Sequence, residues 1–157
     1  MKPHGATRTI LTATLIVGAM DFAYASLMTA YRGGSIIKLW QFVASGLLGP
    51  EASAMGTAGA LCGVVFHFLI MAAFSAATYV LCKKVPLIEK RPVPWGLVYG
   101  VCIWLVMNFV VVPLSRTDTG APRMELGAIL NWGFAMHLVI GLSLVLITKR
   151  GLRSERA

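Results

Sequence analysis

The sequence predicts an all-α fold: a four-transmembrane-helix bundle with an interfacial amphipathic helix between the first two spans. Three observations carry that expectation. Of 157 residues, 57% are hydrophobic and 13% charged, more apolar surface than a soluble domain of this size can hide. Four apolar runs, 9–31, 54–82, 95–115 and 125–148, each reach the roughly 20 residues a helix needs to cross hydrocarbon. The 14 basic residues fall almost entirely between those runs, which is the distribution of a membrane protein rather than the gathered basic face of a nucleic-acid binder. Residues 1–157 therefore read as one integral membrane domain, with the lipid bilayer as partner and no nucleic acid.

The first run, 9–31, has two readings. Lys2 and Arg8 ahead of the apolar stretch Ile10–Met20, then Ala23-Tyr24-Ala25, imitate a cleaved export signal. Apolarity then resumes through Ser26–Tyr31 before Arg32, which gives the full spanning length and favours a retained helix.

Residues 35–48, "SIIKLWQFVASGLL", are too short to cross. On a helix, Ser35, Lys38, Gln41 and Ser45 fall within one arc, and Ile36, Leu39, Trp40, Phe42, Val43 and Leu47 cover the rest. That predicts a helix in the outer interface or dipping partly inward, with Lys38 and Trp40 as anchors. It serves either as a cap over the bundle or as an element gating lipid or ligand.

Gly49-Pro50-Glu51 and Ala121-Pro122-Arg123-Met124-Glu125 mark the starts of the second and fourth spans, since proline suits a first helical turn and an early acid suits the helix dipole. Between the second and third spans, "KKVPLIEKRPVP" is a short, stiff, basic connection, with Trp95 at the interface. Counting Lys2, Arg8, Lys83, Lys84, Lys90, Arg91, Lys149, Arg150, Arg153 and Arg156 on one side leaves Arg32, Lys38, Arg116 and Arg123 on the other. This predicts both termini in the cytoplasm, which an even number of spans also requires.

Each span carries one strongly polar residue near its middle: Asp21, His67, Asn108 and His137. Such groups are costly in hydrocarbon, so they are expected to turn inward and form a shared cluster. Gly18 lies on the Asp21 seam; Gly56, Gly59 and Gly63 lie on the His67 seam; Gly96 and Gly100 are spaced for close packing in the third span. Gly63-x-x-x-His67 and Gly133-x-x-x-His137 also suggest two similar helical hairpins.

The cluster admits three uses. It can simply hold the bundle together. It can support proton- or ion-linked transport, since an aspartate and two histidines exchange protons at depth; four spans make a narrow pore, so a homo-oligomer is then expected. Alternatively, His67 and His137 could ligate a b-type haem, two histidines on different helices being the minimum for such ligation. No other cofactor and no metal is expected. No catalytic motif is present, and Asp118, Arg123 and Glu125 read as capping and solvation, so no catalytic residue is assigned and a non-enzymatic role is favoured. Cys62, Cys82 and Cys102 form no CxxC and read as packing residues without a disulfide.

His67, Phe74, Ala77 and Tyr79, then Pro86, Gly96, Leu97 and Gly100, Pro113-Leu114, His137-Leu138-Val139, Ser143, Arg150, Leu152 and Arg153 together resemble the YagU-like family of small bacterial inner-membrane proteins, over residues 63–153. The resemblance implies a bacterial inner-membrane location. That family has no settled biochemical function to transfer.

Overall fold

The computed structural model describes residues 3–116 and 132–156. Among them every regular element is helical: α1 (Pro3–Tyr31), α2 (Ile36–Leu48), a 3₁₀ turn (Pro50–Ser53), α3 (Gly56–Lys84), α4 (Pro86–Lys90), α5 (Pro92–Val106), a π turn (Met107–Val111), α6 (Val112–Leu114) and α7 (Trp132–Arg156). Four of these stretches are long and apolar enough to cross a membrane: Gly5–Tyr31, Gly56–Lys84, Pro92–Leu114 and Phe134–Arg156. The chain is an all-α, multi-pass membrane protein. The predicted start of the fourth span at 121–125, and Asp118 with it, lie outside the described residues.

α7 packs on all three other spans, α5, α1 and α3; α1 also packs on α3, and α2 lies against α3. α5 packs chiefly on α7 and forms an edge of the bundle. The central contact is apolar, with Ala13 and Val17 of α1, Met71 of α3, Ile103 of α5 and Met136, Ile140 and Leu144 of α7 mutually buried. A second core, built on Tyr79, Cys82, Ile88, Val145 and Leu152, closes the end where α4 joins α3 to α5. Large apolar side chains such as Leu15, Leu27, Leu61, Leu69 and Val98 stay exposed, as expected where the surrounding solvent is lipid.

Glycine sets the closest approaches. A methyl group added at Gly141 would overlap the backbone of Gly96 and Gly100, and one at Gly63 would overlap the carbonyl of Trp40. A methyl group at Gly59 would meet the carbonyl of Ala52 in the preceding turn, whereas Gly63 lies against α2, and Gly96 and Gly100 lie against α7. Gly141 belongs to the same seam and was not expected. Gly56 has a different role: nothing lies within 4 Å of its missing side chain, but its φ is +59°, a left-handed conformation that glycine adopts without strain.

That glycine also relocates a boundary. Pro50-Glu51 opens the short 3₁₀ turn, and α3 begins only at Gly56, after the chain has been redirected. At its far end α3 carries Lys83 and Lys84 in its last turn, where cations suit the helix dipole, and Pro86 prevents its continuation. The third span widens at Met107–Val111, where the Val112 N–H reaches the Met107 carbonyl five residues back. Pro113 accounts for it, because its ring would clash with the carbonyl four residues earlier in a regular α-helix.

α2 turns over relative to expectation. Ser35 caps it, accepting from the Lys38 N–H, but Trp40, Gln41, Ala44 and Ser45 are the buried residues, while Ile36, Ile37, Phe42 and Leu47 are exposed. Gln41 Nε2 donates to the carbonyl oxygens of Gly56 at 2.8 Å and Ser53 at 3.4 Å. The helix caps α3 with its polar side inward, and Trp40 is a packing residue rather than an interface anchor. The reason is local: the Ser53 and Gly56 carbonyl oxygens accept from Gln41, and the glycines at the start of α3 let a small-residue face approach closely.

Candidate functional site

Where α1 and α3 cross, Gly18 leaves room for the Phe68 ring, whose edge would lie 2.8 Å from a methyl group added there. This brings His67 against α1. Its Nε2 lies 3.0 Å from the Gly18 carbonyl oxygen, and its Nδ1 lies 3.9 Å from Asp21 Oδ2. On the other side of the ring, Trp40 of α2 and Phe68 meet His67 edge-on at 5.3 and 5.2 Å between centroids. Trp40 in turn stacks on Phe22 at 4.5 Å and donates from Nε1 to the Ser26 hydroxyl at 3.2 Å. Thus α2, through Trp40, covers and orients the histidine of α3 opposite the aspartate of α1.

The geometry assigns a proton. A carbonyl oxygen only accepts, so His67 Nε2 carries the hydrogen that it donates to Gly18. Nδ1 then faces a carboxylate, and two lone-pair-bearing atoms repel unless a proton sits on one of them. One proton between them, as carboxylic acid and neutral imidazole or as carboxylate and imidazolium, would leave the pair neutral overall in both forms. A neutral pair is what a medium of low polarity tolerates. The present separation exceeds a hydrogen bond by about 1 Å, so direct transfer requires a small side-chain rotation. The His67 side chain is 11% exposed and that of Asp21 26%, so the carboxyl is the open end of the pair.

His137, on α7, is close enough to Asp21 for their charges to interact. Asp21 thus has His67 beside it and His137 within electrostatic range. Asn108 does not join them. It is exposed on the third span, with its Nδ2 donating to the Trp104 carbonyl of its own helix at 2.8 Å. The cause is the position of α5, which meets the bundle through Gly96, Gly100 and Ile103 and turns the far side of the helix outward. The pairing of Asp21 with His67 in one hairpin thus has no counterpart between Asn108 and His137 in the other.

The Tyr24 hydroxyl, also on α1, is buried without a hydrogen-bond partner among the described residues, and so is that of Thr148 on α7. Further polar contacts escape the sequence pattern. Glu155 near the end of α7 accepts from Thr9 of α1 at 3.0 Å and from Tyr79 of α3 at 2.8 Å, and Arg156 pairs with both carboxylate oxygens of Glu89 on α4, at 2.7 and 3.2 Å. The available signal was periodicity. Thr148, Gly151 and Glu155 follow helical spacing beyond residue 148, where the last span was expected to end.

His67 does not fit an axial haem ligand as it stands. Its Nε2–H is directed at Gly18 and its Nδ1 lies 3.9 Å from Asp21, so a haem iron at Nε2 would have to displace the Gly18 contact and one at Nδ1 would face the carboxyl group. Among the described residues no group of three or more His, Cys, Asp or Glu side chains is placed to hold a metal ion. All three cysteines are free thiols.

Comparison with known proteins finds no matching family model, no matching curated protein and no matching solved structure.

Proposed function

We propose that this chain is a bacterial inner-membrane protein that moves protons, or an ion coupled to them, by way of the Asp21–His67 pair with His137 in electrostatic range. The observation that carries the proposal is that Asp21 and His67, on different spans, face each other at 3.9 Å, with the carboxyl end partly open and the imidazole end held by Gly18, Trp40 and Phe68. The pair is neutral in both of its proton-shifted forms, and releasing its proton leaves one negative charge that the next proton or a coupled cation must offset, which ties turnover of the site to the arriving ion. α1 is retained in the mature protein, as its central packing supports. Both termini face the cytoplasm, in keeping with the basic residues gathered where α3 and α7 end.

Liposomes containing purified protein and an internal pH-sensitive dye test this directly. The wild type is expected to collapse an imposed pH gradient faster than protein-free liposomes. Asp21→Asn and His67→Gln should each slow that collapse roughly tenfold or more, while resistance to denaturing detergent changes little. A role confined to packing would give the opposite pattern, lost stability with unaltered flux. Wild-type liposomes no leakier than empty ones would end the proposal.

A further inference from the structure

The third span is the least covered of the four: 11% of its most apolar stretch is buried, against 22% to 39% for the others. Its inward edge is glycine-rich and fully used against α7. The outward side carries Leu97, Leu105 and Asn108 exposed, with Val101 half-buried between them, at spacings that place them on one flank of the helix. Apolar members of that flank are at home in lipid. Asn108 is not, because hydrocarbon offers nothing to bond a carboxamide.

The amide is partly satisfied in a way that identifies its complement. One N–H is donated to the Trp104 carbonyl, which leaves one N–H and the carbonyl oxygen without a partner among the described residues. That remaining set, one donor beside one acceptor, is self-complementary: two carboxamides related by a two-fold axis close a pair of N–H···O=C bonds and need no other chemistry. A two-fold axis beside Asn108 also brings Leu97, Val101 and Leu105 against their own copies, burying the least covered face of the molecule. Asn108 lies within the π turn that Pro113 imposes and so projects from a widened stretch of helix.

We infer that this protein forms a two-fold dimer through the Leu97–Val101–Leu105–Asn108 flank of its third span, with Asn108 pairing across the axis. The occupant is a second copy of this chain. The inference stands apart from proton movement, since the Asp21–His67 pair lies across α1 and α3, away from this edge.

The experiment uses full-length protein in native-lipid nanodiscs, with subunits counted by single-molecule photobleaching, alongside disulfide trapping in membranes. A dimer is expected for the wild type, with self-association weakened about tenfold by Asn108→Leu and largely retained by Asn108→Gln. In a background with Cys62, Cys82 and Cys102 replaced by alanine, Leu105→Cys should cross-link efficiently. Restoring Cys102, which is exposed but rotated about 120° away from Asn108, should cross-link poorly. A monomer at every protein density, or a dimer indifferent to Asn108→Leu, would overturn the inference. Asn108→Leu removes a polar group from a lipid-facing site, so loss of the fold is not an expected consequence.

Discussion

Single residues in this molecule are placed by what their neighbours lack. Gly141, Gly100 and Gly96 let two backbones touch, whereas Gly56 is needed for its φ of +59° and faces open space. Substitution separates the two reasons. Gly141→Ala is expected to cost about 1–3 kcal/mol, because its methyl group must push α5 and α7 apart, and Gly56→Ala about 1–2 kcal/mol from backbone strain alone. Unfolding titrations in mixed detergent micelles would measure both, and proximity of α5 to α7 reported by a fluorophore pair should change only for Gly141→Ala. At this scale the sequence was readable in part. A polar residue in the middle of each span was plain, and Asp21 and His67 do face each other, but whether a residue on a helix apolar on every side faces protein or lipid is not written in its own segment. Asn108 shows the consequence, since its spacing from His137 resembled that of a partner.

At the level of the element, α2 makes the same point more sharply. Its arc of Ser35, Lys38, Gln41 and Ser45 reads as a water-facing stripe, yet Gln41 and Ser45 are buried against α3 while Phe42, Leu47, Ile36 and Ile37 point outward. Amphipathicity reports that two faces differ. It does not report which solvent lies on each side, and in a membrane the apolar side belongs outside. Two substitutions check the orientation. Phe42→Lys should hinder membrane assembly, costing about 2–3 kcal/mol for a charge placed against hydrocarbon, where a water-facing site would be indifferent. Gln41→Leu should lower stability by about 0.5–1.5 kcal/mol through loss of its hydrogen bonds to the Ser53 and Gly56 carbonyls. It should also loosen Trp40 over His67, read as faster proton exchange on the imidazole by NMR.

On the scale of the whole molecule, α1, α3 and α7 are joined twice. Asp21 and His67 meet toward one end, with His137 within electrostatic range, Thr9, Tyr79 and Glu155 meet toward the other, and between them lies the apolar layer of Ala13, Val17, Met71, Ile140 and Leu144. Glu155 is the sole acceptor in the second set whose two bonds reach two other helices. Glu155→Ala should therefore lower global stability by about 1.5–3 kcal/mol, as hydrogen bonds to a charged group are lost, whereas Ser154→Ala, one residue away and exposed, should be neutral. Reversible unfolding followed by tryptophan emission would compare them. By itself the sequence determined that the chain is helical and crosses a membrane four times, because spanning length and charge placement are properties of each segment against lipid. Only the tertiary structure decided that His67 faces Asp21 while Asn108 looks outward, that α2 lies polar side down, and that Glu155 ties three helices together. Those outcomes depend on the azimuth at which helices meet, and the azimuth is fixed by glycine seams on partner helices rather than by the polarity of the residue being placed.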